Sequence, residues 1–193
     1  MTRRKVLGER HPGTISAWNN IALTYSKLGK LTVAAQIQEK VLQTSREILG
    51  ERHRNTINAA NNLASTYYKL KRLKEAESAF KEVAELRKQT LGSRHPSTIS
   101  ALKNLALTYR RLGRLEEATS LQEKVLTTRR KVMGERHPGT LSAASNLALT
   151  YGKSGRLKEA ESLQDYVLKM SKEILGDRHP DTLTASNNLA STY

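Results

Sequence analysis

Leu7-Gly8-Glu9-Arg10-His11-Pro12-Gly13-Thr14 is a phrase that returns as Leu49 to Thr56, Leu91 to Thr98, Met133 to Thr140 and Leu175 to Thr182, in steps of 42 residues. A second phrase keeps the same step. Asn20-Ile21-Ala22 with Thr24-Tyr25 recurs at Asn62 and Tyr67, Asn104 and Tyr109, Asn146 and Tyr151, and Asn188 and Tyr193. A fixed period of this size is the signature of a solenoid, in which each unit is one supersecondary element that buries its apolar face only against its neighbours. The chain therefore reads as a single array, 1–193, with units at about 8–49, 50–91, 92–133 and 134–175 and a terminal helix in 176–193. Thr2 to Gly8 resembles Thr128 to Gly134, so residues 1–7 read as the close of a helix whose beginning is missing, while Tyr193 falls inside another helix. Apolar faces left open at such ends predict self-association.

Within the first unit, Ile15, Trp18, Ile21, Ala22, Tyr25 and Leu28 follow the three-and-four spacing of an amphipathic helix, here helix A. Leu31, Ala34, Ile37, Val41, Leu42, Ile48 and Leu49 form a second series, helix B. Each unit is a helical hairpin. Gly29, Gly113 and Gly155 stand at the reversal, where a left-handed residue closes the helix, and Lys71 in the second unit predicts a strained or reshaped turn. His-Pro-x-Thr opens each helix A, with Pro at or near the first helical position, and Arg54 takes that place in the second unit. The five histidines recur once per repeat, so they should lie roughly 10 Å apart along one edge instead of converging on a metal. A role in the inter-repeat turn is expected of them, and no metal or cofactor site is expected.

No cysteine is present, which excludes disulfides and thiolate chemistry. No glycosylation acceptor, signal peptide or membrane-spanning run is visible, so a cytoplasmic protein without membrane association is expected. The net charge is +15, and ten of those charges come from residues 50–133. An acidic partner is expected to land there.

The helix pair with Ile21-Ala22, Tyr25 and a small residue at Ala34 resembles the tetratricopeptide repeat. The longer period, with Asn-Asn-Leu-Ala-x-x-Tyr and Leu-Gly-x-x-His-Pro, is similar to the variant of kinesin light chains, nephrocystin-like proteins and nucleotide-binding immune-type receptors. The resemblance covers the whole chain. It implies an all-α fold, a right-handed superhelical α-solenoid of helix-turn-helix hairpins, and use as an adaptor or sensor.

In arrays of that kind helix A lines the concave groove. The repeated asparagine, Asn20, Asn62, Asn104, Asn146 and Asn188, both donates and accepts, so it could hold the backbone of an extended peptide without reading its sequence. The alternative is that each asparagine bridges to the neighbouring repeat. Selectivity would come from positions that vary between units. Lys103, Arg110 and Arg111, flanked by Tyr68 and Lys69, suit Asp or Glu with an adjacent apolar residue, and Asn61 and Lys153 complete the candidate surface. The carboxylate clamp of chaperone adaptors needs a lysine one turn before the first groove asparagine, where this chain has Ser16, Asn58, Ser100, Ser142 and Thr184. Trp18 is expected to pack instead of stacking on a ligand.

Three functions compete. The first is a non-enzymatic module that binds an extended, acidic peptide in the groove. The second is the ligand-sensing or autoinhibitory region of a larger signalling protein. The third, nucleic-acid binding, lacks regular aromatic platforms and reduces to weak, salt-sensitive attraction. Catalysis is not expected, because no phosphate loop or converging set of catalytic side chains is found.

Overall fold

The computed structural model describes Gly8 and residues 10–191. The readings made on residues 1–7 and on Tyr193 lie outside the described residues. Among these, nine helices and no strand are found: α1 (Pro12–Lys27), α2 (Leu31–Leu49), α3 (Arg54–Lys69), α4 (Leu73–Leu91), α5 (Pro96–Arg111), α6 (Leu115–Met133), α7 (Pro138–Lys153), α8 (Leu157–Leu175) and α9 (Pro180–Ala190). The odd-numbered helices are the A helices and the even-numbered ones the B helices. Within the first unit α1 packs on α2, α2 on α3 and α3 on α4, and within the second α6 packs on α7, α7 on α8 and α8 on α9, which gives the all-α class and the hairpin stacking that the period requires. Two compact units are present, Met1–Thr108 and Tyr109–Tyr193, and the boundary falls in the last turn of α5.

The A helices begin where the sequence offers a side-chain cap, whereas the B helices start at Lys30, Arg72, Arg114 and Arg156 without one. His11, His53, His137 and His179 are the N-caps of α1, α3, α7 and α9, and their Nδ1 atoms accept from the backbone N–H two residues on. His95 accepts in the same way from Ser97 at 3.1 Å. The recurring histidine is therefore a capping group, satisfying one of the orphan donors of a helix start. The hairpin turn keeps one geometry in all units. Gly29, Gly113 and Gly155 have φ of 77°, 78° and 78°, and Lys71 adopts φ of 62° in the same place, so the turn is strained and not reshaped.

In the first unit the core runs through Ile15, Val41, Leu42, Ile57, Leu63 and Val83, with Trp18 packed against it. Burying a side chain of this size contributes about 1.5–3 kcal/mol. In the second unit Leu141, Leu147, Val167 and the alanines between them play the same part. Two expected core positions of helix A are corrected. Ile21 is 40% exposed although its counterparts Leu63, Leu105 and Leu147 are buried, because no described helix precedes α1 to cover it. Leu28 follows the last residue of α1 as its C-cap and is 67% exposed.

Candidate functional site

The A helices of neighbouring repeats lie side by side within each unit, and polar side chains join them. In the first unit Asn62 Nδ2 donates to Asn19 Oδ1 at 3.2 Å, and Lys69 Nζ donates to Ser26 Oγ at 3.2 Å, both between α3 and α1. In the second, Asn188 Nδ2 donates to Ser145 Oγ at 3.5 Å, between α9 and α7. All three pairs are separated by 43 residues, one period plus one, which is how a ladder between adjacent helices of this repeat registers. Asn146 instead donates to the Ser142 carbonyl of its own helix at 2.8 Å. The backbone carbonyls of Asn20, Asn62, Asn104 and Asn146 accept from the hydroxyls of Thr24, Thr66, Thr108 and Thr150 at 3.0, 3.1, 2.9 and 3.0 Å. That bond gives the repeated Asn-x-x-x-Thr spacing a local reason. An amide carries two donors and an acceptor, so one lateral bond leaves Asn62 with capacity to spare.

Between α7, α8 and α9 a cavity of about 500 Å³ opens. Ser142, Ser145, Asn146, Thr184 and Asn188 form its polar wall, Leu141, Val167 and Leu175 its floor, and Arg129 stands at its edge. Three repeats earlier the same register makes a cavity of about 190 Å³ between α1, α2 and α3, walled by Ser16, Asn19, Asn20 and Asn58. It is smaller because Asn19 and Asn58 replace Ser145 and Thr184. Asn20, Asn146 and Asn188 of the repeated asparagine thus line these cavities.

One B-helix position varies the polar lining of such a slot, and sequence reasoning missed it. Ser45, Arg87, Arg129 and Ser171 occupy it in successive repeats. Ser45 and Ser171 line the two open cavities. Arg87, only 8% exposed, reaches from α4 to Asn61 Oδ1 at 3.4 Å, Asn58 Oδ1 at 3.2 Å and the Ser97 carbonyl at 3.0 Å. Arg129 makes the counterpart bond to the Gly139 carbonyl. Burial pushes both guanidinium groups below their usual range. The Ser/Arg variation at one register was the available signal.

Tyr68 and Lys103 are half-buried in the first unit and Lys69 is exposed there, whereas Arg110, Arg111 and Lys153 belong to the second unit. Arg110 Nη1 donates to the Asn146 carbonyl at 3.2 Å. Among the described residues no group of histidine and carboxylate side chains is placed to hold a metal ion, and no helix is long and apolar enough to cross a membrane.

Stacked hairpins with a polar A-helix face define a helical-repeat protein. The tetratricopeptide repeat model matches residues 13–89, 55–131, 97–173 and 140–193, and the chain belongs to that family. Among solved structures it is similar to one described as a kinesin light chain from Podosopora anserina with nearly identical TPR-like repeats. That match has 27% identity over 95% of this chain and 87% of that one, with a TM-score of 0.84. A single-residue variant of that protein matches at 27% identity over 95% and 86%, with a TM-score of 0.85. BtubC (BKLC) from P. vanneervenii, at 18% identity over 100% of this chain and 78% of that one, has a TM-score of 0.80 and shows the fold alone. No curated protein sequence matches.

Proposed function

We propose that the array is a non-enzymatic interaction module that holds an extended, acidic peptide along its A helices. Tetratricopeptide repeats serve protein interaction, and the observation that carries the finer reading is the pair of cavities. The same register positions, Asn20 with Ser16 and Asn146 with Ser142, wall an opening in both units. Amides there can bond a peptide backbone, and the apolar floors accept side chains between those bonds. Acidity of the partner follows from the net +10 carried by residues 50–133, which steers and retains a negative segment.

The test is fluorescence binding of a library of disordered peptides at physiological salt. An Asn20/Asn104/Asn146→Ala variant removes ladder amides while sparing the lateral bonds of Asn62 and Asn188. An Arg110/Arg111→Glu variant reverses local charge. Sequence-selective binding should weaken about tenfold or more in each. Binding indifferent to both variants would refute the groove reading.

A further inference from the structure

The second repeat carries three residues that the first and fourth repeats lack, and two of them, Arg54 and Arg87, line one cavity while the third, Gln89, bonds Arg52 of the same lining. Arg54 stands where Pro12, Pro96, Pro138 and Pro180 open the other A helices. Arg87 stands where the first and fourth repeats have Ser45 and Ser171, and Gln89 where they have Glu47 and Glu173. The last change removes a counter-charge. Arg10 pairs with Glu47 at 3.2 Å and Arg136 with Glu173 at 3.1 Å, but Arg52, at the same register, meets the neutral Oε1 of Gln89 at 3.4 Å.

The resulting cavity, about 360 Å³, is lined by Arg52, Arg54, Arg87, His95, Asn58 and Thr90 among others. Among the described residues that line it there is no carboxylate. Arg87 is the buried anchor. Its Nη1 gives both hydrogens to Asn61 and Ser97 and its Nη2 gives one to Asn58, so of five donors the Nε–H and one Nη2–H remain for a ligand. His95 spends Nδ1 accepting from Ser97, which leaves Nε2 to carry the ring proton as a further donor. Three guanidinium groups with no opposing charge, one of them desolvated, match an oxyanion of two negative charges better than a single carboxylate. Asn58 also walls the small groove cavity together with Asn19 and Asn20, so the basic cavity opens beside the groove.

We infer that this cavity receives a phosphate monoester on a side chain of a peptide lying along the A helices. The peptide as carrier rests on the groove reading above, whereas the anion site stands on its own residues.

The experiment titrates the full chain with disordered decapeptides, each made in serine and phosphoserine forms, and separately with inorganic phosphate at matched ionic strength. Affinity and the Arg87 Nε–H nuclear magnetic resonance signal are read. The variants are Arg54→Pro and Gln89→Glu, alone and together, each restoring a residue that other repeats carry, so the fold is retained. Arg136→Gln in the fourth repeat is the charge control. Phosphorylation should tighten binding about tenfold or more and move the Arg87 signal. The double variant should remove that gain and the control should not. Equal affinity for both peptide forms, or equal loss in the control, overturns the site. Inorganic phosphate moving the Arg87 signal as strongly as phosphopeptide at equal concentration overturns the peptide as carrier. Should the Asn20/Asn104/Asn146→Ala variant leave the serine peptides untouched while Arg54→Pro with Gln89→Glu still abolishes the phosphate gain, the groove reading falls and the anion site remains.

Discussion

Lys71 adopts the left-handed turn geometry that glycine holds in the other units. Its φ of 62° places the Cβ against the following carbonyl, a conformation about 1–2 kcal/mol unfavourable for a residue with a side chain. The turn survives because its hydrogen bonds are those of the other units: Lys71 N donates to the Tyr68 carbonyl at 3.2 Å and Arg72 N to that of Tyr67 at 3.0 Å. Lys71→Gly should therefore raise stability by about 1 kcal/mol, the strain relieved exceeding the entropy that glycine adds to the unfolded chain. The denaturation midpoint measures it, and a lower midpoint would show that the lysine side chain earns its place by other contacts. At this scale the sequence was informative where a residue type answers a backbone need. The hairpin position, the helix starts at His-Pro and the strain at Lys71 all follow from φ and from missing N–H groups. What a long side chain does was not legible. Arg87 lies on helix B, and nothing in its spacing says that it crosses to Asn58 and Asn61 and puts a guanidinium where Ser45 and Ser171 put a hydroxyl.

Between elements, a second recurring device ties helix A of one repeat to helix B of the repeat before it. Tyr67 on α3 donates its hydroxyl to Glu39 on α2 at 2.7 Å, and Arg72 stacks on the Tyr67 ring at 4.3 Å while pairing with Glu39 at 3.7 Å. Tyr151, Glu123 and Arg156 repeat the arrangement, with 2.8 Å, 4.1 Å and 3.9 Å in the same order. Burial first, and then the bond to Glu39, push the Tyr67 phenol from 10.0 up to about 12. The folded state then holds the phenolic proton more tightly than the unfolded state does. Its contribution is complete below pH 10 and is lost as pH rises from about 10 through about 12. Wild type should thus lose more stability than Tyr67→Phe across that window, and parallel curves would disprove the coupling. The tyrosine itself stood out in the sequence as a repeated residue. Its partners did not, because Glu39 belongs to the neighbouring hairpin and only stacking brings it within reach. The asparagines show the same limit, since their common register was readable whereas the sideways bonds of Asn62 and Asn188 required the helix-to-helix distance.

Across the whole molecule, the stability of a repeat array is a sum of local terms, because each repeat touches only its neighbours. Two compact units, each with its own core, are consistent with that additivity. Leu63, 5% exposed, sits in the first unit's core with Ile57, Val83 and Ala101 as fellow members. Leu63→Ala should cost about 2–5 kcal/mol locally by leaving a cavity. If the array behaves as a chain of coupled repeats, native-state hydrogen exchange will show amides of α2, α3 and α4 losing protection about 30-fold or more. Amides of α7, α8 and α9 should keep theirs, since their cores in Leu141, Leu147 and Val167 are untouched. A uniform loss over all helices would instead mean that the molecule opens in a single cooperative step. The distinction bears on binding, because a locally opening array can adjust one slot to a side chain while the rest of the groove holds its register.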